Sequence, residues 1–164
     1  MMTRKICMVG TTGVGKTSLV SRFVQSIFSE KYLMTVGVRI EKKLVDTGLG
    51  VVSMVIWDLA GDDEFQRIQT SYFRGSAGYL LVADGTRRET LQRAVELQSQ
   101  IKTVLGEVPF SLLINKADLR SLWEVTSADL DGLRTKGWNW LETSAKESLG
   151  VEEAFHSLAM RLVV

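Results

Sequence analysis

Cysteine and proline are almost missing from this chain: 164 residues contain one of each. Cys7 by itself cannot close an internal disulfide, so stability must come from a core, and a reducing, cytoplasmic setting is expected. With Ile6 and Met8 on either side it reads as a small core residue, not a redox centre. A single proline, scattered glycines and no repeat or low-complexity tract leave nothing to serve as a linker, so one domain spanning 1–164 is expected. Histidine also occurs once. His156 has no metal-ligand companion and falls off the apolar stripe of its helical pattern, which leaves it solvated. Charge of either sign is not in excess: 20 Lys plus Arg against 19 Asp plus Glu give +1. Such a surface has no field to draw in nucleic acid or anionic lipid, and specific partners are expected instead. No apolar run approaches the roughly eighteen residues of a membrane span, the start "MMTRKICMVG" is too short in apolar residues for a signal core, and "MRLVV" offers no cysteine for a lipid. No membrane anchor is therefore expected in this chain.

What is abundant is apolar sequence, 45% of the residues, enough for one core at this length. The runs "ICMVG", "VSMVIWD", "YLLVAD" and "FSLLIN" are nearly continuous, as strands buried on both faces of a parallel sheet require. "VRIEKKLVD" alternates, like an edge strand. Between them lie helical patterns, "GKTSLVSRFVQSIF", "ETLQRAVELQSQIKTVL" and "VEEAFHSLAMRLV", the last with Val151, Ala154, Phe155, Leu158, Ala159 and Leu162 on one stripe. Strand and helix in alternation imply an α/β sheet covered by helices on both faces. Only the two strands around the turn "DTGLG" lack a helix between them, so that pair should be antiparallel.

"GTTGVGKT", at 10–17, matches GxxxxGK[ST] between a strand and a helix, the context in which that motif binds phosphate. Glycines let the loop curl so that main-chain N–H groups of Gly13, Val14, Gly15, Lys16, Thr17 and Ser18 converge on an anion. The helix N-terminus adds its positive end, the Lys16 ammonium bridges the outer phosphates, and the Thr17 hydroxyl can reach magnesium. A glycine-rich turn that merely joins strand to helix is the bland alternative.

"NKAD", at 115–118, ends an apolar strand and so lies at the carboxyl edge of the sheet. The Asp118 carboxylate can accept from both the ring N–H and the exocyclic amine of guanine, a donor pair that adenine lacks. "ETSAK", at 142–146, can add the Ala145 N–H toward the guanine oxygen. Either tetrapeptide alone is a weak signal; with the phosphate loop, in this order, they are specific.

On these motifs, with Thr35 and "DLAG", the chain resembles the Ras superfamily of small GTPases over essentially its whole length. "TVGVRI", Trp57 before the aspartate and "YFRGSAGYLLVAD" make it similar to Rab-like members. The resemblance implies a P-loop NTPase fold, with a mostly parallel six-stranded sheet and one antiparallel edge strand. It also implies a guanine site lined by Phe28, Asn115, Lys116, Asp118, Ser144, Ala145 and Lys146, with GTP or GDP and Mg2+ as cofactors. Thr17 and Thr35 would ligate the metal, and Asp58 would hold one of its waters. Phe28 could instead be a core aromatic and Thr35 an ordinary loop threonine. Lys16 and the Gly61 N–H would meet the terminal phosphate, so that its loss relaxes the two segments bounded by Phe28 and Val38 and by Leu59 and Arg74. Effector and regulatory proteins would read those segments, and the chain would act as a monomer. Trp57 belongs either to that partner surface or to the interior. Trp138 and Trp140 share a face of a short strand and are expected to pack beneath a helix.

Three residues depart from the family pattern. Asp62 stands where a catalytic glutamine is usual, and a carboxylate there cannot both accept from the attacking water and donate to the phosphate. Thr12 stands where many relatives carry glycine and narrows the path of an inserted arginine. Met34 replaces a proline, which adds freedom to the unligated loop. Slow GTP hydrolysis is the expected activity. A GTP-loaded binding module with negligible turnover is the alternative, and a small-molecule kinase is disfavoured because "NKAD" and "ETSAK" would have no use in one. Asp63, Glu64, Arg67 or Arg74 could compensate for Asp62, and the acidic run also suits the start of the helix "EFQRIQTSYF".

Overall fold

The computed structural model describes residues 1–24, 32–33, 38–59 and 70–163. In chain order these form β1 (Met2–Val9), α1 (Lys16–Val24), β2 (Tyr32–Leu33), β3 (Val38–Asp46), β4 (Val51–Leu59), α2 (Thr70–Phe73), β5 (Ser76–Asp84), α3 (Arg88–Leu105), β6 (Phe110–Asn115), a 3₁₀ helix (Ala117–Leu122), α4 (Ser127–Thr135), β7 (Trp140–Glu142) and α5 (Val151–Leu162). The strands make one sheet in the order β2-β3-β4-β1-β5-β6-β7. β1 runs parallel to β4 and β5, as β5 does to β6 and β6 to β7. β3 is antiparallel to β4 across its full length. The expected six strands are thus present, and the two-residue β2 adds an antiparallel seventh outside β3. A piece that short has no periodicity to read.

Period-two alternation along β1 splits the core in two. Ile6 and Met8 face a cluster with Leu19 and Phe23 of α1 and Phe155 and Leu158 of α5. Cys7 and Val9 face another, with Leu91, Leu97 and Ile101 of α3 and Leu130 and Leu133 of α4. All six stripe residues of α5 are buried, and Phe155 stacks on Phe23 of α1 with centroids 4.0 Å apart and planes 5° from parallel. Lys43 of β3 fastens the same corner. Its ammonium donates to the Phe23 carbonyl at 2.6 Å and pairs with Glu152 of α5 at 3.1 Å. Between β3 and β4 the "DTGLG" turn closes on itself: the Thr47 hydroxyl donates to the Gly50 carbonyl at 2.7 Å, and Gly48 takes φ 83°.

α4 has no counterpart among the helical patterns read from the sequence, because its only buried residues are Leu130 and Leu133. A start signal was nonetheless available in Thr126 and Asp129, which form a reciprocal capping box. Trp138 corrects another expectation: β7 begins at Trp140, and Trp138 precedes it, standing edge-on to Phe110 at 5.2 Å. Both rings are half-buried against the second cluster. His156 is exposed, as expected.

Cys7 is fully buried, its Sγ 3.1 Å from Ser76 Oγ. Burial pushes its thiol up to about 11 from an ordinary value near 9, against smaller opposing effects of the Ser76 hydrogen bond and the nearby Lys5 charge. A proton held more tightly in the folded state contributes stability in full below about pH 9, and that contribution is lost as pH rises through 11. Urea midpoints of the wild type should therefore fall between pH 9 and 11, and less so for Cys7→Ala. A thiol reagent at pH 8 should label Cys7 only after denaturation.

Candidate functional site

Four strands end together at one edge of the sheet, and a cleft lies there between the start of α1 and the segments that follow β6 and β7. Met8 of β1 pairs in register with Asp58 of β4, and Asp84 of β5 with Asn115 of β6. From β1 the chain passes into the phosphate loop, where Gly13 and Gly15 take φ 77° and 101°, conformations that side chains rarely tolerate. Gly15 has a second reason to lack a side chain: a Cβ there would stand 2.3 Å from Asn115 Nδ2.

Asn115 knits the loops into one body. Its amide donates to the Val14 carbonyl at 2.9 Å, while its oxygen accepts from the Thr143 hydroxyl at 3.1 Å and the Ala145 N–H at 3.3 Å. Asp118 accepts from the Ser144 hydroxyl at 2.8 Å. The cleft between these loops measures about 740 Å³ and is lined by Gly15, Thr17, Ser18, Asn115, Asp118 and Ala145 among others. Ser21, Arg22 and Leu119 also line it, and the sequence reading passed over them. Spacing offered a clue, since Ser18, Ser21 and Arg22 share one helical face. Arg22 binds the far wall, donating to the Ala145 and Lys146 carbonyls at 2.8 and 3.0 Å.

Lys16 is buried at the first turn of α1, its ammonium donating to the Gly10 carbonyl at 2.9 Å. The Thr17 hydroxyl donates to Asp58 Oδ2 at 2.6 Å. Asp58 Oδ1 is buried with no hydrogen-bond partner among the described residues. Burial raises the Asp58 carboxyl above its ordinary value, although Thr17, Lys16 and Arg39 pull it down. A hydroxyl whose proton is already given away, beside a carboxylate oxygen without a partner, is the kind of hard oxygen pair that suits a small divalent cation. The residues present fit magnesium.

Asp84 went unremarked in the sequence. It is fully buried, and its Oδ2 receives the Lys116 ammonium at 2.8 Å and Arg87 Nε at 3.1 Å. Arg87 also donates to the Thr12 carbonyl at 2.8 Å, so one carboxylate braces both the base loop and the phosphate loop. Thr12 itself is half-buried, and its Oγ1 has no partner among the described residues. Trp57 is half-buried, with the Lys5 ammonium 3.7 Å from its ring centroid and Tyr72 edge-on at 6.2 Å.

Phe28, Met34, Thr35, Gly61, Asp62, Asp63, Glu64 and Arg67 lie outside the described residues. Arg74 does not. It precedes Ser76 at the amino end of β5, and since Val9, the last residue before the phosphate loop, pairs with Leu81, it lies at least roughly 17 Å from the level of that loop at about 3.3 Å per step. That distance removes Arg74 as a compensating cation.

The Ras family model matches residues 5–163. Among curated relatives, Ras-related protein Rab-13 from Bos taurus is 35% identical over 162 residues, covering 98% of this chain and 80% of the relative. Rab-21 from Dictyostelium discoideum is 33% identical over 162 residues, covering 98% and 76%. RABA2d from Arabidopsis thaliana is 35% identical over 156 residues, covering 94% and 72%. A family match over nearly the whole length, together with a cleft built from the same motifs, makes this chain a member of the Ras family of small GTPases, similar to its Rab-like members.

Proposed function

We propose that the chain is one G domain, 1–164, working as a monomeric cytoplasmic switch that binds GTP or GDP with Mg2+ and hydrolyses GTP slowly. The observation that carries this reading is Asn115, whose single amide joins the phosphate loop to both loops that would hold the base. In this role Gly13, Val14, Gly15, Lys16, Thr17 and Ser18 surround the phosphates. Asp118 reads the guanine edge with Ser144 behind it, and Ala145 and Lys146 close the base pocket. Phe28 and Lys116 flank the ring. Thr17 and Thr35 would ligate the metal and Asp58 would hold one of its waters; the metal would supply positive charge to the phosphate oxygens. Thr35 and Gly61 tether the two segments that effectors and regulators read.

Asp62 and Thr12 favour a second reading, a GTP-loaded binding module. Ionised, Asp62 has no donor for the transferring phosphate and adds negative charge beside it. Unaided turnover should then lie at or below the order of 10⁻⁴ s⁻¹. In single-turnover assays Asp62→Gln with Thr12→Gly should run about tenfold faster, the worth of one well-placed charged hydrogen bond. GTP in the purified protein would support the module, and GDP the hydrolysing switch. Fast hydrolysis by the wild type would defeat both forms of the slow-turnover reading. ATP competing with GTP at comparable concentration would defeat the site itself.

A further inference from the structure

Trp123, at the end of the 3₁₀ helix, faces a backbone that has reason to be held. Lys116 carries φ 73° and ψ 39°, the left-handed region, without being glycine. Its carbonyl accepts two donors, the Leu119 N–H at 2.9 Å and the Trp123 indole N–H at 2.9 Å. The indole ring lies against Gly85 so closely that a Cβ there would come within 2.1 Å of it. Arg120 covers the ring, its guanidinium carbon 4.5 Å from the centroid, and is itself paired with Glu142. Gly85 closes the frame, receiving Glu124 and Val125 N–H groups at 2.9 and 3.2 Å and donating to the Asn115 carbonyl at 3.1 Å. The indole is therefore wedged between the loop after β5 and the loop that carries Asp118. A half-buried indole N–H needs an acceptor in any case; here the acceptor is the carbonyl of the left-handed Lys116 peptide, two residues before Asp118.

We propose that Trp123 is a positioning residue for base recognition: its indole N–H fixes the left-handed Lys116 peptide and so sets the aim of Asp118, two residues on. The proposal rests on the reading of Asp118 as the guanine-binding carboxylate. Trp123→Phe keeps an aromatic ring and deletes the donor. Replacing residue 123 by benzothienylalanine through semisynthesis keeps the bicycle and puts sulfur where the N–H was, which covers the case in which Phe does not fold.

The measurements are release of a fluorescent GDP analogue and the ratio of affinities for GDP and inosine diphosphate, which lacks the exocyclic amine. Loss of one hydrogen bond should speed release about fivefold and should lower the GDP to inosine diphosphate ratio, because a loop that wanders loses most at the atoms Asp118 reads. Both changes in either donor-deleted protein support the proposal. Unchanged release, or faster release with the ratio intact, overturns it and leaves Trp123 as packing. Wild-type protein with no affinity for GDP would overturn the functional reading instead, before any variant is compared.

Discussion

Asp118→Asn is expected to weaken GDP binding by about 10²–10⁴-fold, the largest single effect on affinity that this site should give. An ionised carboxylate accepting from two guanine donors makes two charge-assisted bonds, each worth about 1.5–3 kcal/mol, and together these span that range. Asparagine keeps one acceptor but turns an amide toward the exocyclic amine, donor against donor. Xanthosine diphosphate carries an oxygen at that position, so its affinity should rise in the variant. The scaffold around residue 118 should tolerate the change: the Ser144 hydroxyl that now donates to Asp118 at 2.8 Å can accept as readily. Calorimetric titration with the two nucleotides checks the inversion. Equal GDP affinity in wild type and variant would mean that Asp118 does not read the base.

Asp84→Ala should cost about 2–4 kcal/mol of stability. Removing one member of a buried ionic group typically costs about 3–5 kcal/mol. Here Lys116 and Arg87 keep roughly a third of their side-chain surface in water and can partly rehydrate. Burial works to raise the Asp84 carboxyl, yet Lys116, both Thr86 donors and Arg87 outweigh it and leave the group below its ordinary range. A depressed folded value contributes stability above the unfolded value, about pH 3.9, and that contribution fades as pH falls through the folded one. Urea titrations should accordingly find a wide gap between wild type and variant at pH 7 that narrows below about pH 4. A gap that stayed constant with pH would deny the carboxylate its ionic role.

The placement of the cleft's motifs was legible wherever it was local. "GTTGVGKT" announces its own strand, loop and helix, and "NKAD" and "ETSAK" lie at strand ends because the apolar runs before them stop there. The contacts of Arg22, Asp84, Arg87 and Trp123 were not legible, for a common reason, although helical spacing did place Arg22 on the face of Ser18. Each has a partner well along the chain: Arg22 meets residues 145 and 146, Asp84 meets Lys116, Arg87 meets residue 12, and Trp123 meets Gly85. No periodicity records such pairings. α4 was missed although its cap was visible, since two buried leucines make too thin a stripe beside the six residues of α5. Trp138 and Trp140 have the spacing of a strand, but the pairing of β7 with β6 begins only at Trp140.

The ring pair of Phe23 and Phe155 ties the far end of α1 to α5, while the near end of α1 bears Lys16 and Thr17. One rod thus carries the phosphate-loop lysine and threonine at its head and packs against α5 at its heel. Whatever quiets the head on loading should be felt at the heel, and amides of α5, distant from any phosphate, should exchange with deuterium more slowly in the loaded protein.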